Sequence, residues 1–308
     1  MARKRNKGHV GIVGLGIMGG AFAKNLSVAG WQVTGFDIDA SARKRAARAG
    51  VSIAPDVVAL AAAPIIITSL AKPQALHDTA RAIAKAKLPR RVIVDTSTFA
   101  IEDKEKAERI LRDAGHVMLD CPISGTGAQA RTKDIVIYAS GDRAAIRKLK
   151  PLFADFARAT HDLGAFGNGS RMKYVANLLV AIHNVASAEA MVLGMKAGLA
   201  PEQILRLVSS GVGNSRVFEL RAPMMAKNRY GDATMKISVW QKDMAIIGAY
   251  AKTIGSPTPL FDATGPLYDR ALADGRGAED TAAVCAVLER MAGLNRSKNK
   301  RTKRPSGL

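Results

Sequence analysis

The stretch Val10-Gly11-Ile12-Val13-Gly14-Leu15-Gly16-Ile17-Met18-Gly19 decides how this chain is read. An apolar run ends in a Gly14-x-Gly16-x-x-Gly19 turn, and a helix-forming segment, Ala21-Phe22-Ala23-Lys24-Asn25-Leu26, follows it. After Gly30 a second strand-like run, Gln32-Val33-Thr34-Gly35-Phe36, leads straight into Asp37. Strand, glycine turn, helix, second strand and terminal acid, in that order, make a dinucleotide-binding fingerprint in its full context. Gly14 allows the tight turn, Gly16 lets the backbone approach a pyrophosphate, and Gly19 lets the helix pack closely on the strand. Leu15, Ile17 and Met18, between the glycines, belong to the same contact. The helix N-terminus offers free N–H groups and a partial positive charge to phosphates. Asp37 is placed to accept hydrogen bonds from a ribose 2′-OH, which favours NAD over NADP. The competing reading is a glycine-rich turn in an α/β protein that binds nothing.

Outward from this stretch, strand and helix patterns alternate through the first half. Strand-like runs are Val10–Val13, Gln32–Phe36, Ile65–Ser69, Val92–Asp95, Val117–Leu119 and Ile135–Ala139. Helical segments such as Ala40–Ala49 and Ile101–Ala114 lie between them. This is the pattern of a Rossmann-type, doubly wound parallel sheet, an α/β fold. Near Asp162-Leu163-Gly164 the pattern changes. Ser170–Lys196 reads as one long helix, and Pro201–Ser209, Trp240–Ile254, Phe261–Asp274 and Thr281–Met291 read as further helices. Gly198 suits a helix stop, and Pro201 suits a first helical position. The division is a nucleotide-binding domain over 8–163, an all-helical domain over 164–294, and flexible basic ends at 1–7 and 295–308.

With 308 residues and 48% apolar composition, the chain can bury two cores. The net charge is +20. Ten basic residues, half that excess, sit in the two ends, which contain no acid. The remaining excess suits anionic ligands such as a dinucleotide and a small carboxylate, and no nucleic-acid partner is required. The apolar run Val57–Leu70 is broken by Pro64 and too short to span a membrane. Cys121 and Cys285 show neither metal-ligand spacing nor a disulfide framework, so the expectation is a cytoplasmic protein without a metal. His77, His116, His161 and His183 likewise show no ligand spacing.

Four further segments narrow the function. Asp95-Thr96-Ser97-Thr98 closes a strand at the carboxyl edge, where such sheets bind ligands. Asp120-Cys121-Pro122-Ile123-Ser124-Gly125-Thr126-Gly127-Ala128 follows the next strand with hydroxyls and small residues. Gly167-Asn168-Gly169-Ser170-Arg171-Met172-Lys173-Tyr174-Val175-Ala176-Asn177 opens the long helix, and Gln241-Lys242-Asp243-Met244 lies on a later one. Lys173 and Asn177, four residues apart, share a helix face.

Together these segments resemble the β-hydroxyacid dehydrogenase family, which includes 3-hydroxyisobutyrate dehydrogenase, 2-hydroxy-3-oxopropionate (tartronate semialdehyde) reductase and relatives of 6-phosphogluconate dehydrogenase. The resemblance covers nearly all of 8–294. It implies that Lys173 is the catalytic general acid/base and that Asn177 matches the family's substrate-side asparagine. It implies that Ser124, Gly125 and Thr126 bind the substrate carboxylate, and that Ser69, Leu70, Thr98 and Lys242 contact the cofactor. It also implies a homodimer or homotetramer, with the long helix central to the contact. The chain departs from the family pattern at Thr126, Ala128 and Ala176, where the family carries Gly, Gly and Asn, so the substrate's identity stays open. Two other readings remain. One is an imine reductase-like enzyme of the same fold; the other is an inactive dinucleotide-binding scaffold whose basic ends hold nucleic acid. Lys173 argues against both.

Overall fold

A computed structural model describes residues 7–296. The chain divides into two compact units, the first extending to Val175 and the second starting at Ala176.

The first unit is built on a parallel sheet of β1 (His9–Val13), β2 (Gln32–Phe36), β3 (Ser52–Ile53), β4 (Ile65–Thr68), β5 (Val92–Asp95) and β6 (Val117–Asp120). Their spatial order is β3-β2-β1-β4-β5-β6. The order reverses between β1 and β4, the place where such sheets bind nucleotides. Alternation sets the two faces. Ile67, Val94 and Leu119 pack with Phe22, Leu26, Phe153 and Phe156 on one side. Their chain neighbours Ile66, Ile93 and Met118 pack with Leu60, Leu76, Ile83, Ala107 and Leu111 on the other. Both faces are therefore covered, which is why the strands read as continuous apolar runs. Each fully buried Leu, Ile or Phe contributes roughly 1.5–3 kcal/mol.

The helices start where the sequence supplies acceptors. The Asp39 carboxylate accepts N–H bonds from Ser41 and Ala42 to open Ala40–Arg48, and Asp142 accepts from Ala145 to open Arg143–Ala154. Such caps contribute about 0.5–2 kcal/mol each.

The sixth expected strand departs from expectation. Val136–Ala139 (β8) is not in the parallel sheet. It joins a separate sheet with β7 (Ile123–Ser124), to which it is antiparallel, and β9 (Ala159–Asp162), to which it is parallel. A two-residue strand such as β7 carries too little periodicity to be read from sequence, and without it β8 is assigned to the wrong sheet.

The second unit takes in most of the helix Asn168–Lys196, then Pro201–Ser209, Arg216–Lys227, Ile237–Thr253, Pro259–Ala273 and Val284–Met291. Arg216–Lys227 has no counterpart among the expected helices: Pro223 sits inside it, and Gly211, Gly213 and Asn214 precede it. The Asn184 amide donates to Tyr268 Oη and to the Thr281 carbonyl, each at 2.9 Å. Burial pushes the Tyr268 phenol up to about 12. By length and composition Asn168–Lys196 is apolar enough to cross a membrane, which no run was expected to be. Its buried row Ala181, Val185, Ala188, Met191 and Met195 is that of a core helix.

Lys7 and Arg296, expected in the basic ends, both have partners in the fold. The Lys7 ammonium lies 2.8 Å from Asp155, and its N–H donates to the Gly30 carbonyl. Arg296 donates to the Ala226 and Met225 carbonyls and pairs with Glu289. A local sequence pattern does not show such distant acceptors. Residues 1–6 and 297–308 of those ends lie outside the described residues.

Candidate functional site

In the first unit, five strands end in one register row. Phe36 pairs with Val13, Val13 with Thr68, Thr68 with Asp95, and Asp95 with Asp120. The residues that follow are Asp37, Gly14, Ser69, Thr96 and Cys121, so the expected cofactor and substrate loops leave the sheet side by side. Strand pairing alone achieves this, through hydrogen bonds between segments far apart in sequence.

The glycine turn has the shape a pyrophosphate needs. Gly14 has φ +92°, and a side chain there would strike the Ser69 carbonyl. A Cβ on Gly19 would strike the Gly14 carbonyl, so the helix Ile17–Ala29 can sit this close only with glycine. A Cβ on Gly16 would meet nothing within 4 Å. The backbone is thus open to a ligand where the fingerprint requires it. Gly16 and Ile17 are exposed, Met18 is half-buried and Leu15 is buried. The residues present fit a dinucleotide.

Asp37 is fixed by the turn it faces. Its Oδ2 accepts the Leu15 N–H at 2.7 Å, and its Oδ1 accepts the Asp39 N–H at 2.8 Å. Each oxygen keeps a further lone pair for a ribose hydroxyl. Arg43 reaches back to the Asp37 and Ile38 carbonyls at 2.6 and 3.1 Å. Its guanidinium is engaged with backbone there.

Across the row, Leu70 donates its N–H to Ser97 Oγ at 2.9 Å, joining the loops after β4 and β5. Ser69, Leu70 and Thr98 are half-buried. Ser124 closes β7 and Gly125 follows at φ +138°, with Ile135 where a side chain would stand. Thr126 has a structural task that the sequence did not suggest. It caps Gly127–Arg131 in a reciprocal box with Gln129. Ile17 packs where a Gly127 side chain would go, and the Asn25 amide donates to the Ala130 carbonyl at 2.8 Å. These contacts set the Ser124–Thr126 loop against the glycine-turn helix.

Lys173 lies one turn into Asn168–Lys196 and is half-buried. The start of that helix rests on the same edge. Ser170 donates its N–H and its Oγ–H, each at 2.8 Å, to the two oxygens of Asp120. Tyr174 Oη donates to the Phe99 carbonyl at 2.5 Å, and burial pushes this phenol well above the usual tyrosine range.

Within the second unit, the Asn177 amide donates to Asp243 Oδ2 at 2.9 Å, and the Lys242 ammonium lies 3.3 Å from Asp243 Oδ1. Asp243 thus joins the two expected site residues of that unit, a role that sequence alone does not show.

The sequence reading also missed Lys104. It falls in the buried row Ile101, Lys104, Ala107 and Leu111 of the helix Ile101–Asp113. Its spacing was the available signal, because a lysine on an apolar stripe needs buried acids as partners. Cys121 is buried beside this cluster, and burial raises its thiol well above the reactive range.

This is a two-unit NAD(P)-binding oxidoreductase fold: a dinucleotide-binding sheet followed by a helical unit. Residues 9–166 match the family model described as the NAD binding domain of 6-phosphogluconate dehydrogenase. Residues 167–288 match the model described as NAD-binding of NADP-dependent 3-hydroxyisobutyrate dehydrogenase. The chain is 30% identical over 285 residues to L-threonate dehydrogenase of Cupriavidus necator, covering 91% of this chain and 96% of that one. It is 28% identical to 2-hydroxy-3-oxopropionate reductase of Escherichia coli, covering 92% and 98%. The solved structure of Mycobacterium tuberculosis 3-hydroxyisobutyrate dehydrogenase with L-serine superposes with a TM-score of 0.83 at 26% identity, covering 91% and 99%. The chain belongs to this family of β-hydroxyacid dehydrogenases.

Proposed function

We propose that the protein transfers a hydride between NAD(H) and a short β-hydroxy acid/semialdehyde pair, with Lys173 as general acid/base. The observation that carries this reading is the register row. It aligns Asp37, the Gly14–Gly19 turn, the Ser69–Leu70 and Thr98 loops and the Ser124–Thr126 loop on one edge, and the helix bearing Lys173 starts on that edge. The bound cofactor supplies the hydride. In reduction, the Lys173 ammonium stabilises the developing alkoxide and donates the proton. In oxidation, the neutral amine takes the hydroxyl proton. Ser124 and Gly125 present a hydroxyl and backbone N–H groups to the carboxylate. The Thr126 hydroxyl is shared with Gln129, so it serves chiefly to hold that loop. Asn177 is oriented by Asp243, which also pairs with Lys242 within the second unit.

Asp37 favours NAD, because its carboxylate accepts from a 2′-OH and repels a 2′-phosphate. Two free, buried cysteines suit a reducing cytoplasm. Exposed Leu193 on the long helix supports a homodimer or homotetramer, to be sized by light scattering. The test of function is a screen of 3-hydroxyisobutyrate, glycerate, threonate, 4-hydroxybutyrate and sulfonated analogues, each with NAD and NADP. Turnover of at least one acid, with higher kcat/KM for NAD, is expected. No turnover across the panel overturns the reading, and a higher kcat/KM with NADP overturns the role of Asp37.

A further inference from the structure

Lys104 is fully buried. Its ammonium lies 2.6 Å from Asp120 Oδ1 and 3.0 Å from Asp95 Oδ2, and both carboxylates are also fully buried. Burial opposes the charge, but the two carboxylates outweigh it and hold the ammonium protonated, above the usual lysine range. Asp95 and Asp120 are the last residues of neighbouring strands and pair in register. Lys104 therefore bridges β5 and β6 at the edge from which the site loops leave.

Each carboxylate has a second set of partners, and these lead to different parts of the proposed site. Asp95 Oδ1 accepts from Thr68 Oγ1 at 2.7 Å and Ser97 Oγ at 2.8 Å, and Ser97 Oγ accepts the Leu70 N–H. That limb ends in the loop assigned to the cofactor. Asp120 takes both the N–H and the Oγ–H of Ser170 on its two oxygens. Gly169 lies so close to the Asp120 carbonyl and to Pro122 that no side chain fits, and its N–H donates to Ser140 Oγ at 2.9 Å. That limb ends in the first turn of the helix carrying Lys173, three residues beyond Ser170. Two bonds from one residue to two oxygens of one carboxylate fix rotation as well as position. An aspartate turns freely about two side-chain bonds, and Lys104 removes that freedom from the opposite side.

We propose that Lys104, clamped between Asp95 and Asp120, is a positioning residue for the reaction: through Asp120 and Ser170 it sets where Lys173 stands relative to the nucleotide-binding edge. This rests on the reading of Lys173 as general acid/base. A misplacement of about 1 Å in a reacting group costs as much as ~10²-fold in rate, so a partial loosening is expected to cost less.

The test uses the full-length enzyme and Ser170→Ala, which keeps the backbone bond to Asp120 and loses the hydroxyl with its bond to Asp120 and its contact with the Tyr174 hydroxyl. The expected result is a fall in kcat of about fivefold to tenfold, with KM for the cofactor within about twofold. In a Lys173→Ala background the same change should have no further effect, because the residue it positions is gone. Lys104→Met is the second variant; if it folds, its loss of kcat should also vanish in that background. A Ser170→Ala enzyme with kcat within twofold of wild type overturns the proposal, as does an equal fractional loss with and without Lys173. If Lys173→Ala itself keeps more than about a tenth of kcat, the assignment of Lys173 fails and takes the proposal with it. The single variants thus separate the two failures.

Discussion

Both units bury an ionic cluster, and the two clusters differ in what they join. In the first, Lys104 answers two carboxylates at strand ends and, through them, the Leu70 loop and the Ser170 helix start. In the second, Arg221 lies 2.7 Å from Asp280. Asp280 also accepts from Thr234, Met235 and Ala282 N–H groups. Those partners belong to a loop and a helical turn, and none is a candidate site residue. Buried ion pairs by themselves say little about function, since desolvation offsets much of their attraction. Their meaning comes from the elements at their ends. The first cluster ties the loops of the candidate site together; the second closes a helical unit.

The largest effect expected is for Lys173→Ala, the residue that the first cluster is proposed to position. It should lower kcat by about 10²–10⁴-fold, with cofactor binding, followed by NADH fluorescence, nearly unchanged. Retention of more than a tenth of kcat would leave the two clusters functionally equivalent.

Lys104→Met and Arg221→Met each leave carboxylates buried without their cation, and each should cost roughly 3–5 kcal/mol in denaturant unfolding. The clusters should part in kinetics: folded Arg221→Met keeps kcat within about twofold, and folded Lys104→Met does not. Equal losses of kcat would break the comparison.

Glycine substitutions sharpen the picture of the cofactor side of the first unit. Gly16→Ala meets open space and should fold normally while raising the Kd for NAD about tenfold, roughly 1.4 kcal/mol. Gly14→Ala meets the Ser69 carbonyl at a positive φ and should lose stability instead, read as a lower Tm. Normal Tm for both would show that the turn is looser than described.

The smallest effect concerns a charge outside both clusters. Burial raises the Asp155 carboxyl pKa, but the Lys7 ammonium and the Trp31 Nε1–H outweigh burial and hold it below the usual carboxylate range. A lowered folded-state pKa contributes stability above the unfolded value that is lost as pH falls through the folded one. Asp155→Asn should cost about 1 kcal/mol at neutral pH. The wild type should then lose more stability than the variant between pH 5 and pH 3. Parallel pH profiles for the two would show that the Lys7 contact contributes nothing.

Local patterns carried much of this protein. The run Val10–Gly19 with Asp37 announced the nucleotide edge, because strand, turn and helix each leave a short-range signature. Pro201 and Gly198 marked helix boundaries for the same reason. The motif positions Ser124, Lys173 and Asn177 were legible as residues in order along the chain. The second sheet was not, since a two-residue strand has no period. The contacts of Lys7 and Arg296 are not legible locally, because their acceptors lie far away in sequence.

The alternation of strands and helices, the glycine turn and the residues available for chemistry follow from the order of amino acids, because all are set by contacts within a few positions. Folding in three dimensions was needed to show that the ends of five strands share one row, that Thr126 caps a helix, that Asp243 joins Asn177 to Lys242, and that Lys104 lies between Asp95 and Asp120. Those outcomes depend on which distant segments pair and on which charges lose their water together. A buried lysine is tolerable only where folding has brought carboxylates to it, and no stretch of the chain read alone contains that information.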